Sequence, residues 1–264
     1  MVFAAGLGTR LKPLTDNLPK ALAPLASHTL LYHVLMRLLD AGIDDFVINV
    51  HHFADKIIDY VHDTPELAAL DIRFSDEREL LRNTGGGIRF ARPLLDGQNF
   101  LVHNVDIVSD LDIREFETCA RPDAVSTLLV SQRKTQRYFL FNDDMRLVGW
   151  TNIATGDVKT PFRGLDVSQC YKLAFAGIHL LSSEIFNVMD AIDEAPEKYP
   201  LYDASGNVID GSCDALGQCF PVTDFYLRAA AAFPVYGKEP AHLTLIDAGK
   251  PETLLQAERF ISQS

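Results

Sequence analysis

The sequence predicts an α/β fold: a mixed, mostly parallel sheet flanked by helices in a single domain. Short apolar runs alternate with amphipathic segments through the first half of the chain. Glycines and prolines separate these segments, and the 264 residues contain no internal repeat and no flexible linker. Repeated strand, helix, strand units pair their strands in parallel, and ligands of such sheets bind at the carboxyl ends of the strands.

The elements of the first half follow from hydrophobic periodicity. Apolar residues at helical spacing predict a helix over 30–41 that ends at Gly42. Asp110 and Asp112 are expected to cap a helix that begins near Ile113. The same reasoning predicts strands at 2–5, 46–50, 70–75 and 100–104, and helices at 54–62 and 84–95.

The second half changes to short strands, which predicts mixed or antiparallel pairing. The longest irregular stretch, 194–221, is either a flap over a site or a plain surface excursion. We predict strands at 124–131, 138–141, 147–150, 172–180 and 243–247, and helices at 183–192, 223–232 and 251–261.

Composition excludes several classes of protein. The 24 basic and 36 acidic residues give a net charge of −12, which argues against a nucleic-acid partner or an anionic membrane surface. No apolar run approaches the length of a membrane span, and no secretory signal is recognisable, so a cytoplasmic location is expected. The cysteines show no C-x-x-C pair and no zinc spacing, so reduced thiols are expected at Cys119, Cys170, Cys213 and Cys219.

The first 24 residues are typical of a loop that surrounds a triphosphate. A short apolar strand leads into Gly6 and Gly8, whose missing Cβ atoms let backbone N–H groups approach phosphate oxygens. Arg10 and Lys20 supply positive charge. The dinucleotide fingerprint is excluded because Leu11 stands where its third glycine belongs, and the P-loop string is absent.

These residues match a longer pattern, G-x-G-T-R-x-x-P-x-T-x-x-x-P-K, at every fixed position from Gly6 to Lys20. In this the chain resembles the sugar-1-phosphate nucleotidyltransferases, or nucleotide-sugar pyrophosphorylases. The resemblance implies a Rossmann-like nucleotide-diphospho-sugar transferase fold. It also implies a nucleotide-binding half, about 1–123, and a sugar-phosphate-binding half, about 124–264. The expected substrates are a nucleoside triphosphate and a sugar 1-phosphate, and the oligomeric state stays open.

Two basic residues of this loop are the predicted catalytic residues. Arg10 is assigned to the β- and γ-phosphates, and Lys20 to the α-phosphate or the incoming phosphate. The residues of the loop expected to bind nucleotide are Ala5, Gly6, Leu7, Gly8, Thr9, Arg10 and Lys20.

A second glycine motif, Thr84-Gly85-Gly86-Gly87, follows a predicted strand and opens a predicted helix. We expect its amides to be exposed and to meet either a base or a phosphate, although three glycines also make an ordinary tight turn. Relatives that transfer uridylate to N-acetylmuramate 1-phosphate carry a very similar T-G-G-G-I. The resemblance therefore favours recognition of the nucleobase by Thr84, Gly85 and Gly86.

Two aspartates at strand ends are the predicted metal ligands. Asp106 follows an apolar strand, and Mg²⁺ takes one or two protein carboxylates together with phosphate and water oxygens. The resemblance implies Asp247 as the second ligand, although Lys250 and Leu245 depart from the family pattern around it. Val105 likewise replaces the usual small residue before Asp106. No His or Cys cluster accompanies the aspartates, which favours Mg²⁺ over zinc.

The sugar-binding residues are predicted from a strand interrupted by glycine. Gly177 lies in Phe-Ala-Gly-Ile, and interior glycine in a strand often marks close approach of a ligand. Asn152 is the other predicted sugar contact. The family's Glu-Lys-Pro element is not recognisable here, and four residues remain open as replacements for its lysine: Asn152, Lys159, Arg163 and Lys172.

The favoured activity is transfer of uridylate from UTP to an amino-sugar 1-phosphate such as N-acetylmuramate 1-phosphate. The alternatives are mannose-1-phosphate guanylyl transfer, then cytidylyl transfer to a phosphorylated alcohol or thymidylyl transfer to glucose 1-phosphate. From a different class, the chain would be a non-catalytic nucleotide-sugar sensor on the same fold. Retention of Lys20, Asp106 and Asp247 argues against the sensor.

Overall fold

The apolar runs of the sequence form strands in the computed structural model, which describes residues 1–263. The chain divides into two units, each assembled from separate stretches of sequence. Unit 1 contains Met1–Leu81, Val102–Thr118 and the C-terminal stretch that begins at His242, whereas unit 2 contains Arg82–Leu101 and Cys119–Ala241. The predicted division of binding roles near residue 123 stays a prediction.

The regular elements are numbered along the chain. The strands are β1 (Val2–Phe3), β2 (Pro24–Leu25), β3 (His28–Thr29), β4 (Asp45–Val50), β5 (Asp71–Asp76), β6 (Phe100–Asn104), β7 (Ile107–Ser109), β8 (Ser126–Ser131), β9 (Arg137–Phe141), β10 (Leu147–Asn152), β11 (Asp157–Lys159), β12 (Tyr171–Leu181), β13 (Val235–Lys238) and β14 (Leu245–Asp247). The α-helices are α1 (Leu30–Asp40), α2 (Ala54–Asp63), α3 (Pro65–Ala68), α4 (Asn83–Phe90), α5 (Arg92–Leu95), α6 (Ile113–Thr118), α7 (Ile185–Glu194), α8 (Val222–Ala229) and α9 (Pro251–Ile261).

Unit 1 is built on parallel strands. β1 lies between β4 and β6, with Val2 opposite Ile48 on one side and His103 on the other, and β5 follows β4. Helix α1 buries one apolar face. Its N-cap residue is Thr29, whose hydroxyl accepts from the N–H of Tyr32 at 3.2 Å. β14 pairs with β7 in antiparallel fashion. The strands thus deliver their carboxyl ends to one edge of this sheet.

Unit 2 has the antiparallel pairing predicted for the second half. β10 pairs with β9 and β11, and β12 pairs with β9 and β8, all antiparallel, while β13 is parallel to β8. The predicted α/β class, with a mixed sheet flanked by helices, is therefore confirmed. β11 and β13, of three and four residues, were not predicted.

One predicted helix, 84–95, is wrong as a single element. It consists of α4 and α5, which are separated at Ala91. Pro93 explains the break, because proline has no N–H to continue the helix but fits the first turn of a new one. None of the helices within residues 1–263 is both long and apolar enough to cross a bilayer.

Candidate functional site

The loop after β1 is held at its start by a buried asparagine. Asn49 of β4 accepts hydrogen bonds at Oδ1 from the N–H groups of Ala4 (2.8 Å) and Ala5 (3.3 Å). Its Nδ2 donates to Oε1 of Glu77 at 2.8 Å, and both Asn49 and Glu77 are buried. A buried amide with every hydrogen-bonding atom satisfied has one orientation, so the relay fixes where the loop leaves the strand.

The loop itself turns closely around Lys20. Gly8 has a φ of +64°, and its carbonyl accepts from the hydroxyl of Thr15 at 2.8 Å. A Cβ on Gly8 would lie 3.0 Å from side-chain atoms of both Thr15 and Lys20. Within residues 1–263, the N–H groups of Gly6, Leu7 and Gly8 donate to no protein acceptor. They are therefore available to an anion, and their binding of phosphate stays a prediction.

Four charged side chains meet beside this loop, and we call them, together with residues 5–9, the loop site. Nζ of Lys20 lies 2.7 Å from Oδ2 of Asp106. Arg10 reaches Asp106 at 3.9 Å through Nη2 and Asp247 at 3.7 Å through Nη1. Lys20 and Asp106 are largely buried, whereas Arg10 is half exposed. The two cations and two carboxylates neutralise one another within the protein.

The pairing of β14 with β7 brings the two aspartates together although 141 positions separate them in the sequence. Asp106 follows β6, and Asp247 ends β14 opposite Ile107 of β7. The N–H of Ala248 donates to the carbonyl of Asp106 at 2.8 Å, and that of Gly249 to Oδ1 of Asp247 at 2.9 Å. The first bond joins the two strand ends, and the second fixes the carboxylate of Asp247 within its own turn.

Gly249 marks the point on which the charged atoms converge. A Cβ placed there would lie 2.7 Å from Asp247 Oδ1, 3.0 Å from Asp106 Oδ2 and 2.7 Å from Arg10 Nη2. Among residues 1–263 there is no cluster of three or more His, Cys, Asp or Glu suited to a metal. Two converging carboxylates without nitrogen or sulfur ligands fit Mg²⁺, which takes its other oxygens from phosphates and water.

Nearby residues explain two details of the sequence analysis. The side chain of Val105, which departs from the family pattern, is fully buried and leaves the carboxylate of Asp106 in place. Asp112 caps α6 as predicted, accepting from the N–H of Glu115 at 2.9 Å. The prediction for Asp110 is wrong, because its Oδ1 accepts from the N–H of Thr244 at 2.7 Å and so secures the approach to β14.

His103 lies in β6, three residues before Asp106, and is buried. Burial lowers the pKa of its ring to about 4, because a charged imidazole would lose its hydration there. The ring is therefore neutral at pH 7, and it adds no positive charge beside the loop site. Its Nδ1 lies 2.8 Å from the carbonyl oxygen of Asn104.

The Thr84-Gly85-Gly86 motif begins α4 in unit 2, but its polar groups already have partners. The N–H groups of Gly85 and Gly86 both donate to the carbonyl of Phe220, at 2.9 and 3.2 Å. The hydroxyl of Thr84 accepts from the N–H of Val222 at 2.9 Å, at the start of α8. The expectation that these amides are exposed is therefore wrong, because residue Phe220 lies directly against them.

The two glycines also allow very close packing. A Cβ on Gly85 would lie 2.4 Å from the ring of Phe220, and one on Gly86 would lie 2.2 Å from the carbonyl oxygen of Gln218. No side chain fits at either position unless the 218–220 segment moves. Glycine is thus needed here to let the chain pass over α4.

The 194–221 stretch is anchored to its own unit. The buried guanidinium of Arg228, on α8, donates to the carbonyls of Pro196 (3.2 Å), Tyr199 (3.2 Å) and Asp214 (2.7 Å). Asp193 accepts from the N–H of Leu216 at 2.6 Å. Of the two interpretations left open by the sequence, these bonds favour the surface excursion over a flap.

Unit 2 contains a cavity of about 600 Å³ on one face of β9, β10 and β11. Its lining combines aromatic side chains with three cations and two carboxylates. Asn152 and Phe175 both line it, and the role of Asn152 as a sugar contact stays a prediction. Gly177 does not, although it has a φ of +77° at an irregularity in the pairing of β12 with β8.

The cavity also separates the four residues that were left open as replacements for the lysine of the Glu-Lys-Pro element. Asn152 and Lys159 both line it. Among the described residues neither Arg163 nor Lys172 does; Arg163 instead stacks over the ring of Tyr202 at 4.7 Å. Lys159 is consequently the one lysine of the four candidates that lies in the cavity.

Several cavity residues escaped the sequence analysis. Arg137 precedes Phe139 by two positions, and Trp150 precedes Asn152 by two, so each pair lies on one face of its strand. This spacing of charged and aromatic residues on consecutive short strands was the available signal. The spacing indicates a shared face only once β9, β10 and β11 are paired as an antiparallel meander.

Comparison with known proteins identifies relatives of this chain. Residues 1–140 match the family model described as nucleotidyl transferase. An N-acetylmuramate α-1-phosphate uridylyltransferase of Caulobacter vibrioides is 36% identical over 191 residues, which are 70% of this chain and 75% of that protein. Mannose-1-phosphate guanyltransferase 2 of Candida glabrata is 24% identical over 72% of this chain and 51% of its own length.

A solved structure agrees in fold. A UDP-glucose pyrophosphorylase complexed with UDP-glucose superimposes with a TM-score of 0.72 over 99% of this chain and 97% of that one. Its sequence is 13% identical, so the similarity concerns the fold alone.

Proposed function

This chain belongs to the nucleotidyl transferase family, and from that premise we propose that it transfers uridylate from UTP to N-acetylmuramate 1-phosphate. The convergence of Arg10, Lys20, Asp106 and Asp247 beside a loop with free N–H groups carries the proposal. The identity to the Caulobacter vibrioides protein, whose name gives this reaction, supports the choice of substrates.

The chemistry needs positioning more than proton transfer. The second pKa of a phosphate monoester is about 6, so a sugar 1-phosphate is mostly a dianion near pH 7. One of its oxygens attacks the α-phosphorus of UTP, a new P–O bond forms, and the bond to the bridging oxygen toward the β-phosphorus breaks. Pyrophosphate leaves with that oxygen, and the products are a nucleotide-diphospho-sugar and pyrophosphate. No general base is required.

The loop site supplies the charge stabilisation that this reaction needs. The N–H groups of Gly6, Leu7 and Gly8 donate to phosphate oxygens, and Arg10 binds the β- and γ-phosphates. Lys20 binds the α-phosphate or the incoming phosphate, where negative charge accumulates as the two reactants meet. Asp106 and Asp247 would hold Mg²⁺, which when bound offsets the negative charge of the triphosphate.

The residues that contact the nucleobase and the sugar are assigned from fewer observations than the residues of the loop site. Contact of Thr84, Gly85 and Gly86 with the nucleobase rests on the resemblance alone, since their polar groups have partners within unit 2. Asn152 is assigned to the sugar because it lines the cavity of unit 2. We assign the reaction to the cytoplasm, where the four free cysteines would stay reduced.

The deciding experiment measures pyrophosphate release with Mg²⁺ over a grid of substrates. UTP, GTP, CTP, dTTP and ATP are each combined with the 1-phosphates of N-acetylmuramate, N-acetylglucosamine, mannose and glucose. We expect the highest kcat/KM for UTP with N-acetylmuramate 1-phosphate. A maximum at GTP with mannose 1-phosphate would contradict the proposal and favour the activity named for the Candida glabrata relative.

The same experiment distinguishes the proposed enzyme from a non-catalytic nucleotide-sugar sensor. A sensor binds nucleotide but releases no pyrophosphate with any acceptor. Nucleotide binding measured by calorimetry, together with an empty grid, would therefore overturn the enzymatic proposal.

A further inference from the structure

Charged and aromatic side chains form two rows across the cavity face of unit 2. In the register of the sheet, Asn152 of β10 lies opposite Arg137 of β9 and Asp157 of β11. Trp150 lies in the same way opposite Phe139 and Lys159. Because alternate residues of a strand share a face, both rows border one cavity.

Two guanidinium groups of this cavity have no counter-ion in the part of the chain that the structure describes. Lys159 is neutralised by Asp224, with Nζ 3.1 Å from Oδ1. Within residues 1–263, neither Arg133 nor Arg137 has a carboxylate within 4 Å. Arg133 donates to the carbonyl of Phe175 at 3.2 Å, which directs it toward the cavity wall. Excess positive charge in a chain with a net charge of −12 indicates a site for an anion.

The aromatic residues of the cavity suit a sugar ring. Trp150 and Phe175 are half-buried and give flat apolar surfaces on which the C–H groups of a pyranose pack, while Asn152 offers an amide to its hydroxyls. A cavity of about 600 Å³ is within the range of small-molecule sites. The lining therefore fits a sugar that carries an anionic substituent.

We propose that Arg137, supported by Arg133, binds a carboxylate on the acceptor sugar and so selects a carboxylated hexose 1-phosphate over its uncharged analogue. This rests on the proposed function, in which Arg10 binds the β- and γ-phosphates of the nucleotide and Lys20 the phosphates that react. The arginines of the cavity are then left for a second anionic group. A guanidinium matches a carboxylate with two parallel hydrogen bonds, which an ammonium group does not.

The chain provides its own probe of this site. Trp150 is the only tryptophan of the sequence, and it lines the cavity, so a bound sugar should change its fluorescence. The full chain is titrated with N-acetylmuramate 1-phosphate and with N-acetylglucosamine 1-phosphate. The two sugars share the phosphate, and the first adds an ether-linked carboxylate. We expect the carboxylated sugar to bind at least tenfold more tightly.

The decisive variant is Arg137→Gln. It should weaken binding of N-acetylmuramate 1-phosphate about tenfold or more and change that of N-acetylglucosamine 1-phosphate less than twofold. Arg137→Lys should recover only part of the loss, because it keeps the charge but not the planar fork. Lys134→Gln is the matched control: it removes a charge three positions before Arg137, at a residue that does not line the cavity, and should leave both affinities unchanged.

Other outcomes would overturn the assignment. Equal weakening of both sugars by Arg137→Gln would mean that the arginine binds the shared phosphate. No weakening of either sugar would remove Arg137 from the site. Since fluorescence reports binding without turnover, these results stay interpretable even if the substrate grid shows no uridylyl transfer and the proposed function fails.

Discussion

The loop site of unit 1 and the cavity of unit 2 present positive charge in different ways. In the loop site, Arg10 and Lys20 each lie within 4 Å of a carboxylate, so the charged groups hold one another in place. In the cavity, Arg133 and Arg137 have no such carboxylate among residues 1–263. The first arrangement is preorganised and its members depend on one another, whereas the second is a set of separate contacts.

The largest effect is therefore expected at the centre of the loop site. Lys20→Ala should lower kcat about a hundredfold or more, the scale of removing one preorganised charge from a developing transition state. It also leaves the nearly buried carboxylate of Asp106 without its 2.7 Å partner. Pyrophosphate release checks this, with the substrates that the grid identifies.

Lys12→Ala is the matched control for that variant. Lys12 lies in the same stretch of chain, but its ammonium group is exposed and pairs with Asp16 at 3.3 Å. It should keep near-full activity. If Lys20→Ala also kept near-full activity, the assignment of Lys20 to a phosphate would be wrong.

The second prediction compares glycines of the two units. Gly85→Ala should lower the free energy of unfolding by about 1–3 kcal/mol, because its Cβ would enter the ring of Phe220. Gly6→Ala should cost less than 0.5 kcal/mol or so, since its Cβ would meet only the flexible end of Lys20 at 3.7 Å. Urea denaturation measures both.

The nucleobase role proposed for Gly85 is tested with the same variants. If Gly85 serves only packing, the double variant Gly85→Ala, Phe220→Ala should lose less stability than the two single changes added together. If Gly85 contacts the base, its alanine variant should instead raise the KM for the nucleotide while unfolding is unchanged. That second outcome would contradict the packing role.

The same contrast explains how far the sequence predicted the site. The loop motif was visible because Gly6, Gly8, Arg10 and Lys20 are close in sequence and one backbone conformation brings them together. Asp247 was predicted only through the resemblance, since it depends on the pairing of β14 with β7. That pairing is a long-range contact, and local periodicity carries no information about it.

The cavity escaped prediction for the same physical reason. Its members are contributed by β9, β10, β11, β12 and α8, and what unites those of β9 to β11 is cross-strand register rather than spacing. The internal partners of Gly85 and Gly86 were also hidden, because the carbonyl that accepts from them belongs to Phe220, 134 positions beyond Gly86. Long-range hydrogen bonds decide whether a glycine turn is open to a ligand or closed by the protein.

A smaller loss of turnover than that of Lys20→Ala is expected from a change that disturbs the loop site without removing a charge. Gly249→Ala places a methyl group within 3.0 Å of Asp106, Asp247 and Arg10. The ends of these side chains are flexible enough to move apart, so unfolding should be unaffected. Turnover should fall about tenfold, equivalent to about 1.4 kcal/mol, and the Mg²⁺ concentration for half-maximal rate should rise.

Trp150 fluorescence completes this test, because acceptor binding in the cavity should be the same in Gly249→Ala as in the unaltered chain. That result would assign the defect to the loop site alone. Normal turnover at limiting Mg²⁺ would instead show that the convergence of Asp106 and Asp247 on this point is not needed for the reaction. The two aspartates would then be structural partners of Lys20 and Arg10 rather than metal ligands.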